Sequence, residues 1–299
     1  MEKDKPIINL SMVIVTYNRI EKLKKAIDSI YNQKFLPKDL IIVNNGSTDQ
    51  TKDYLSTLPK NVTIINNEQN LGGSGGFYLG QVEALKKDAD WIWLSDDDAY
   101  LENDLFEKLD KILPNVKENV GAICTKVSTS NSLDFLHRRI LKKGLFKIKE
   151  IPVSLEDYSK SKVEIDEFSY VGTLIRKNVL EEIGLVNKDF FIWCDDTEHS
   201  IRIRKKYNIE MYPELNVFHD CEPSNNEINW KNYYGYRNFA LIYKWHFGKW
   251  YYLFYKIRTF LKIILAKDKK QKMILKIAFK DAKKNKLGKS SIYYPGCKI

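Results

Sequence analysis

Apolar and polar positions follow two different periods over the first hundred residues of this chain. Short apolar runs with the length of buried strands occur at four places: 10–16, 40–44, 62–66 and 91–94. Between them, Ile20 to Tyr31 and Phe77 to Lys87 repeat apolar residues at helical spacing, and a short helix is predicted after Asp49. Such alternation predicts an α/β fold with a mostly parallel sheet flanked by helices.

Polar, turn-forming or acidic residues follow each of the four predicted strands. The four segments are Thr16 to Arg19, Asn44 to Asp49, Asn70 to Gly76 and Ser95 to Asp98. In parallel sheets of this kind, ligands bind beyond the carboxyl ends of the strands. The sequence therefore predicts a ligand site at this edge.

Three consecutive carboxylates, Asp96, Asp97 and Asp98, follow the apolar run "WIWL". Neighbouring carboxylates raise one another's pKa, so a cation or hydrogen-bond donors are expected among them. Asp96 and Asp98, two positions apart, can turn to one side and bind Mg²⁺ or Mn²⁺. The alternative is a solvated turn in which an aspartate caps a helix beginning near Leu101.

A second acidic cluster, Asp195, Asp196 and Glu198, follows the aromatic-rich run that ends at Trp193. Acidic residues in the first turn of a helix also stabilise its dipole, which is a purely structural explanation. A carboxylate in a partly apolar setting has a raised pKa and suits a general base, and Asp196 fits that description. His219 is a candidate third metal ligand, although a lone histidine is more often a packing or surface residue.

Two segments admit more than one interpretation. The glycine-rich stretch from Gly72 to Gly76 lacks the Lys-Ser/Thr of a phosphate-binding P-loop, and a tight strand-to-helix connection is favoured. Residues 127–165 are irregular and basic, and they form either an acceptor-binding loop or a solvated insertion. After them, Phe168 to Leu174 is predicted as a strand and Arg176 to Ile183 as a helix.

Charge and composition indicate the cellular compartment of the protein and the part of the chain that carries its positive charge. The 299 residues are 43% hydrophobic, the four cysteines include no Cys-x-x-Cys pair, and "MEKDKPIINL" has no signal-peptide core. These features predict a cytoplasmic protein. From residue 240 onward there are 16 Lys and Arg against 2 Asp and Glu, whereas the remainder has 33 against 37. The net charge of +10 therefore originates in the C-terminal part.

The basic C-terminal part also contains an apolar stripe with helical spacing, from Trp250 to Leu265, flanked by Lys256, Arg258 and Lys262. These lysines and arginines interrupt any run long enough to span a bilayer. The pattern favours an in-plane helix on an anionic membrane surface over a helix packed on the rest of the protein. Nucleic acid is not expected as a partner, because no nucleic-acid-binding fold accompanies the basic residues.

Seven motifs, taken in order, resemble the family-2 glycosyltransferases of the GT-A fold. They are "VIVTYNR", "IIVNNGSTDQT", "NLGGSGGF", "WLSDDDA", "FIWCDDTEHSIR", "VFHD" and "YYGYRN", and they span about residues 10 to 240. The resemblance implies a Rossmann-like GT-A catalytic domain over residues 1–225 and a helical, basic region over 226–299. Within the family, the chain is most similar to bacterial galactofuranosyltransferases and the related rhamnosyltransferases.

The resemblance also implies roles for individual residues. Asp96 and Asp98 would hold a Mn²⁺ or Mg²⁺ diphosphate together with His219, and Asp196 would be the base of an inverting transfer. The nucleotide and donor pocket would be lined by Thr16, Tyr17, Arg19, Asn45, Asp49, Gly73 and Asp97. The donor and acceptor subsites would be shaped by Trp193, Asp195 and Glu198. Many relatives have Asp where this chain has Asn44, which leaves the nucleotide base open.

The implied function is the transfer of a sugar from a nucleotide diphosphate to a glycan or lipid-linked acceptor at the cytoplasmic face of the membrane. Galactofuranose from UDP-galactofuranose is the leading donor, and rhamnose from dTDP-rhamnose is the alternative. A glycoside hydrolase, a nucleotidyltransferase and a non-catalytic sugar-nucleotide-binding subunit are the rival classes. The hydrolase leaves the polar strand ends unexplained, and the nucleotidyltransferase would need a Gly- and Arg-rich stretch after the first strand.

Overall fold

A computed structural model describes residues 5–130, 132–221 and 227–297 of the chain. The strands are β1 (Ile7–Thr16), β2 (Leu36–Asn44), β3 (Thr63–Asn66), β4 (Trp91–Asp96), β5 (Ala99–Leu101), β6 (Val120–Ser128), β7 (Arg138–Lys143), β8 (Ile148–Pro152), β9 (Val163–Ile165), β10 (Glu167–Phe168), β11 (Thr173–Arg176) and β12 (Asn208–His219). The helices are α1 (Ile20–Tyr31), α2 (Thr51–Ser56), α3 (Gly72–Leu85), α4 (Leu105–Ile112), α5 (Lys177–Ile183), α6 (Asp195–Arg204), α7 (Lys231–His246), α8 (Gly248–Leu265) and α9 (Lys269–Lys283).

The central sheet has the strand order β3-β2-β1-β4-β11-β6-β12-β5, with β9 also paired to β12. Strand β1 pairs in parallel with β2 and β4, and β6 pairs in parallel with β12. Strand β11 runs antiparallel between β4 and β6. The prediction of an α/β fold with a mostly parallel sheet is confirmed, and the four carboxyl ends of β1 to β4 lie at one edge.

The core lies on both faces of this sheet because neighbouring residues of its strands point to opposite faces. In β4, Trp93 belongs to one apolar cluster and Leu94 to the other. The Trp93 side chain is fully buried and meets the Phe106 ring edge-on at 5.9 Å between centroids. Truncation of a buried tryptophan to alanine typically costs about 3–5 kcal/mol, so this strand end is held rigidly.

Three predictions of local structure were wrong. Residues Ala99–Leu101 form strand β5, paired with β12, so the acidic triplet is a turn between two strands rather than a helix cap. The predicted strand Phe168 to Leu174 is divided into β10 and β11, because Gly172 between them adopts a φ of +67°. Helix α3 begins at Gly72, so the glycine-rich stretch is its first turn rather than a loop preceding it.

The region 127–165, left open by the sequence, contains the hairpin β7–β8, a short 3₁₀ helix at Glu156–Ser159 and strand β9. The hairpin and β10 form a second, three-stranded sheet in the order β10-β7-β8. The side chain of Leu141 in β7 packs in an apolar cluster with residues of α7, such as Leu241. This segment is therefore ordered over its described residues and connects the central sheet to the C-terminal helices.

The basic C-terminal region is helical, as predicted, and consists of α7, α8 and α9. The predicted domain boundary between residues 225 and 226 lies outside the described residues, and the division into two domains stays a prediction. Over the described ranges, no helix combines the length and the apolar character that crossing a bilayer requires. Cys124, Cys194, Cys221 and Cys297 are all free thiols.

Candidate active site

The acidic triplet lies beside the carboxyl end of β1, because β1 and β4 pair in parallel up to Val15 and Asp96. The Thr16 hydroxyl donates a hydrogen bond of 2.7 Å to Asp97, and both side chains are buried. Arg19 Nε lies 3.3 Å from the other Asp97 oxygen. Burial raises the pKa of Asp97 to about 6, although the charge of Arg19 acts to lower it. Asp97 therefore anchors Arg19 and Thr16 below the edge of the site.

More cationic side chains lie close to Asp98 than to Asp96 or Asp97. Arg19 Nη1 lies 2.5 Å and Lys22 Nζ 3.7 Å from Asp98 Oδ2, and His219 Nε2 lies 3.6 Å from Asp98 Oδ1. Burial opposes ionisation, but the neighbouring His219 and Arg19 lower the pKa of Asp98 to about 2. Asp98 is thus an anion at any physiological pH.

Asp96 differs, since no ion pair to it is present in the part of the chain that the structure describes. Burial and the charge of Asp98 raise the pKa of Asp96 to about 7. The partly buried Asp96 and the ionised Asp98 offer the carboxylate oxygens that a hard divalent cation prefers. This chemistry suits the predicted Mg²⁺ or Mn²⁺, and the role of Asp96, Asp98 and His219 as its ligands stays a prediction.

His219 has further partners that the sequence did not indicate. Its Nδ1 lies 3.7 Å from Asp134 Oδ2, and the same oxygen lies 3.0 Å from His137 Nε2. Burial lowers the pKa of His219, but Asp134 and Asp98 together raise it to about 10. Among the described residues, ligand atoms of Asp134, His219 and Cys221 lie within 4.8 Å of one another. Asp134 and His137 lie in the irregular region, where no motif identified them.

The residues predicted to bind the nucleotide differ in how far they are exposed at this edge of the sheet. Asn45 is buried and braces the start of α3, since its amide donates to the Gly72 carbonyl at 2.9 Å and its oxygen accepts from the Leu71 N–H at 3.1 Å. Asp49 is exposed, and its carboxylate accepts from the Thr51 N–H at 3.1 Å. Tyr17 is half-buried at the end of β1. The structure thus brings Tyr17 and Asp49 to the surface, whereas the Asn45 side chain is already satisfied within the protein.

The glycines of α3 serve close packing at some positions and leave space at another. A Cβ on Gly76 would lie 2.5 Å from Val15 Cγ1, and a Cβ on Gly80 would lie 2.2 Å from Val13 Cγ1. These glycines allow the helix to approach β1. A Cβ on Gly73 would meet nothing within 4 Å, so the predicted approach of the donor to Gly73 is sterically open.

The second acidic cluster lies at the start of α6 and faces the first. Burial raises the pKa of Asp195 to about 8, with further contributions from the charges of Asp196 and Asp96. The structure therefore brings both clusters close enough to interact electrostatically. Asp196 is half-buried and accepts a hydrogen bond of 2.6 Å from the Thr197 N–H. Burial raises the pKa of Asp196, as the sequence analysis expected for a general base.

One guanidinium serves several carboxylates beside Asp196, and sequence reasoning missed it. Arg139 of β7 lies 3.2 Å from Glu150 and 3.2 Å from Glu167, and its Nη2 donates to Thr197 Oγ1 at 3.1 Å. Its charge also acts on Asp196. Burial and the charge of Glu150 raise the pKa of Glu167 to about 8. The β7–β8 hairpin thus contributes to the electrostatics of the predicted base.

Glu198 and Trp193 take different positions around this cluster. The Glu198 carboxylate is buried between Arg202 Nε at 2.9 Å and His246 Nε2 at 2.8 Å, which links α6 to α7. This contact is structural, and it engages the carboxylate that was predicted to shape a subsite. Trp193 remains 42% exposed and packs beside Gly235, so it is available to a ligand.

The loop that precedes α6 is strained and is held by the "YYGYRN" motif of α7. Phe191, Trp193 and Cys194 all adopt a φ between +64° and +68°, which non-glycine residues rarely do. The buried amide of Asn238 donates to three carbonyls of this loop, those of residues 190, 192 and 193, at 2.8–3.1 Å. Arg237 Nη2 donates to the Phe190 carbonyl at 2.9 Å. The motif therefore holds the loop from which Asp195 and Asp196 follow.

A further cation reaches the first cluster from α7. Lys231 is half-buried, and its pKa is lowered by burial and by the charge of Arg19 while Asp96 and Asp98 oppose this shift. Arg19, Lys22 and Lys231 together give the site the positive charge that a diphosphate requires. Lys231 lies two residues before the motif "YYGYRN", and no pattern in the sequence identifies it as a site residue.

Comparison with known proteins agrees with this architecture. A family model described as Glycosyl transferase family 2 matches residues 11–184. Galactofuranosyltransferase GlfT1 of Mycolicibacterium smegmatis is 42% identical over 87 residues, which is 29% of either chain. The dTDP-rhamnosyl transferase RfbF of Shigella flexneri is 26% identical over 214 residues, or 71% of this chain and 69% of RfbF. The crystal structure of GalNAc-T7 with UDP, GalNAc and Mn²⁺ superposes with a TM-score of 0.65 at 15% identity, covering 94% of this chain and 57% of GalNAc-T7.

Fold and site together define a GT-A glycosyltransferase. The chain belongs to glycosyl transferase family 2, since the family model covers more than half of its length. The resemblance proposed from the seven motifs is confirmed at the level of family and fold. The match to GlfT1 spans less than a third of that relative's length.

Proposed function

We propose that this protein catalyses an inverting, metal-dependent transfer of a sugar from a nucleotide diphosphate to a glycan or lipid-linked acceptor in cell-surface polysaccharide synthesis. The observation that carries the proposal is the meeting of two acidic clusters of different character at one sheet edge. One is surrounded by Arg19, Lys22 and His219, as a diphosphate site requires. The other holds Asp196 with a raised pKa, as a general base requires.

In the proposed mechanism, Asp196 accepts the proton of an acceptor hydroxyl while the oxygen of that hydroxyl attacks the anomeric carbon. The bond between the anomeric carbon and the diphosphate breaks on the opposite face, so the configuration inverts. The electron pair of the broken bond leaves with the nucleotide diphosphate, whose negative charge faces Arg19, Lys22 and Lys231. Trp193, half-exposed beside the base, is placed to pack against the reacting sugar.

Asp96, Asp98 and His219 are the proposed ligands of a Mn²⁺ or Mg²⁺ ion, which would neutralise charge on the departing diphosphate. A structural neighbour, GalNAc-T7, was crystallised with UDP and Mn²⁺, which supports this choice of ligand class. Thr16, Asp97 and Arg19 complete the wall of the proposed nucleotide pocket, with Tyr17 and Asp49 at its rim.

The leading donor is UDP-galactofuranose, supported by the 42% identity to GlfT1 over 87 residues. Rhamnose from dTDP-rhamnose is the second candidate, favoured by the much longer match to RfbF. The donors differ in base as well as sugar, and Asn44 lies where the base contact was predicted. The Asn44 side chain is buried and bonds Asn66 and the Ser47 N–H, so neither base is favoured by it.

The proposed acceptor is lipid-linked, which places the enzyme at the cytoplasmic membrane surface as a peripheral protein. The support is the apolar face of α8, flanked by Lys256, Arg258 and Lys262, which stays exposed at Phe260 and Leu265. This orientation argues against the alternative in which the stripe packs on the catalytic domain.

The test is nucleotide release from UDP-galactofuranose, UDP-galactopyranose, UDP-glucose and dTDP-rhamnose, with Mn²⁺ or Mg²⁺ and again with EDTA. Each donor is measured with and without a lipid-linked acceptor. Release from one donor that EDTA abolishes is expected. Donor binding with no release from any of the four would instead support the sugar-nucleotide-binding subunit, and release that EDTA leaves unchanged would contradict the metal.

A further inference from the structure

We propose that the turn of the β7–β8 hairpin, residues 144–147, and the apolar face of α8 form one docking face for an anionic lipid bilayer. We call this surface the hairpin–α8 face. The inference rests on the proposed function, which supplies the lipid-linked acceptor. It extends that function by assigning part of the membrane contact to a second element, the β7–β8 hairpin. It also connects that contact to the catalytic site through the hairpin itself.

Direct contacts hold the hairpin turn against the start of α8. Trp250 Nε1 donates a hydrogen bond of 2.8 Å to the Leu145 carbonyl, and the Tyr251 hydroxyl donates one of 3.0 Å to the Gly144 carbonyl. The Phe146 ring lies 4.7 Å from that of Phe254 and 6.4 Å from that of Trp250, measured between centroids. The two elements therefore present a single surface although about one hundred residues separate them in sequence.

The apolar side chains on this surface are unusually accessible to solvent. Leu145 is 72% exposed and Phe146 49%, although both sit at a turn where polar residues are the rule. On α8 the exposed apolar positions are Trp250, Leu253, Ile257, Phe260, Leu261, Ile264 and Leu265. They follow one another at spacings that keep them along one side of the helix. Contiguous exposed apolar surface of this kind marks a binding site.

The positive charge of the hairpin–α8 face favours an anionic bilayer as its binding partner. Residues 140–149 and 248–265 contain no Asp or Glu. The lysines and arginine in these two segments are Lys142, Lys143, Lys147, Lys149, Lys249, Lys256, Arg258 and Lys262. Apolar side chains bordered by basic ones, with aromatic residues among them, match the interface of an anionic membrane. A face of uniform positive charge also repels a second copy of itself.

The hairpin links this face to the second acidic cluster. Arg139, which lies between Glu150 and Glu167 and acts on Asp196, is four residues before Lys143 in the same strand. Four residues of extended strand span roughly 13 Å. The Tyr243 hydroxyl of α7 donates to the Ile148 carbonyl at 3.1 Å and fixes the hairpin on the helical region. Docking would therefore hold Asp196 at a set distance from the bilayer, within reach of a sugar attached to a lipid.

The experiment is vesicle flotation of the full-length protein with phosphatidylcholine alone and with phosphatidylcholine mixed with phosphatidylglycerol. The test variant carries Leu145→Ser and Phe146→Ser. The matched control is Leu155→Ser, an equally exposed leucine outside the face. Circular dichroism melting checks that each variant folds. A second measurement follows tryptophan emission on vesicle binding in the wild type and in Trp250→Phe.

We expect the wild type and Leu155→Ser to float with the mixed vesicles, and the double variant to bind at least about tenfold more weakly because two large apolar side chains are lost. Binding to phosphatidylcholine alone should be weaker by at least about fivefold, since the basic border then finds no anionic lipid. A blue shift of tryptophan emission should diminish in Trp250→Phe.

Equal binding by the double variant and the wild type, with the same blue shift of emission in Trp250→Phe as in the wild type, would overturn the assignment. A dimer that becomes monomeric in the double variant, without vesicle binding by either, would assign the face to a second copy. Nucleotide release in the absence of vesicles is recorded on the same samples. Release without flotation would overturn this inference alone, whereas flotation without release from any donor would count against the proposed function.

Discussion

Both acidic clusters of the site contain buried aspartates with raised pKa values, yet only the first also holds an aspartate, Asp98, whose pKa is lowered. Around Asp97 and Asp98, the cations Arg19 and Lys22 approach from α1 and its N-terminal end, and His219 approaches from β12. Asp98 therefore has a pKa of about 2. Around Asp195 and Asp196, burial outweighs the single neighbouring guanidinium, which Glu150 and Glu167 already share.

This difference shows how one sheet edge provides two chemical roles. A carboxylate that stays ionised among cations, as Asp98 does, suits a site that binds a charged group such as a diphosphate. A cluster whose pKa is raised by burial suits proton transfer near neutral pH. The distinction depends on the elements that pack around each cluster, because "DDD" and "DD" alone carry no such information.

The largest effect is expected from Asp196→Asn, which removes the proposed base while preserving shape. We expect transfer to fall about 10³-fold, which is within the usual contribution of a general base. Affinity for the donor, measured by titration calorimetry, should not change, because Asp196 does not touch the diphosphate in this proposal. Asp189→Asn, an exposed carboxylate on the loop before α6, is the control. Full transfer by Asp196→Asn would remove the functional distinction between the clusters.

Asp98→Asn tests the other cluster and should act on binding. We expect Mn²⁺ affinity to fall at least about 100-fold, because even indirect partners of metal ligands contribute factors of this order. The measurement is Mn²⁺ titration followed by electron paramagnetic resonance of the free ion. Asp104→Asn, an exposed residue paired with Lys108, is the matched control. Unchanged Mn²⁺ affinity in Asp98→Asn would exclude this carboxylate as a ligand.

Asn238→Ala tests whether the second cluster depends on the hydrogen bonds that Asn238 of α7 donates to the loop before α6. Three loop carbonyls lose their buried donor, and each unsatisfied buried group is costly, so we expect a loss of about 2 kcal/mol in the free energy of unfolding. Transfer should fall while Mn²⁺ affinity is kept, since the first cluster is built from other elements. Urea unfolding and the Mn²⁺ titration measure both quantities.

The control for Asn238→Ala is Asn115→Ala. The Asn115 amide donates a hydrogen bond to the Lys111 carbonyl at the exposed end of α4. This variant should lose only a few tenths of a kcal/mol, as is usual for surface substitutions. If Asn238→Ala were as stable and as active as Asn115→Ala, the strained loop would be held by other contacts, and the second cluster would not depend on α7.

Sequence reasoning found the residues that follow directly from strand ends. Thr16, Asp97 and Asp98 meet because parallel strands bring their carboxyl ends together, and this rule applies before any tertiary contact is known. The sequence could not place Arg139, because it reaches the site on a hairpin that packs against α7. It could not place Asp134 either, because that residue lies in the irregular segment before the hairpin. It also assigned the helical glycine Gly76 to a strand-to-helix connection, since its role is close packing on β1 and periodicity carries no sign of that.

The smallest effect is expected from Glu167→Gln, a pH-dependent change in stability beside the second cluster. Burial and Glu150 raise the pKa of Glu167 from its ordinary value of 4.5 to about 8 in the folded protein. Between these two values the folded state keeps a proton that the unfolded state releases, so folding stability falls as pH rises through this window. A glutamine neither gains nor loses that proton.

The difference in unfolding free energy between Glu167→Gln and the wild type should therefore be near zero at pH 4 and shift in favour of the variant by on the order of 1 kcal/mol by pH 9. Urea unfolding across this range measures it, with Glu164→Gln, an exposed residue nearby on β9, as the control. A constant difference at every pH would mean that Arg139 keeps Glu167 ionised in the folded state. Glu167 would then be charged beside the second cluster, as Asp98 is in the first, and the contrast between the clusters would have to rest on geometry instead of protonation.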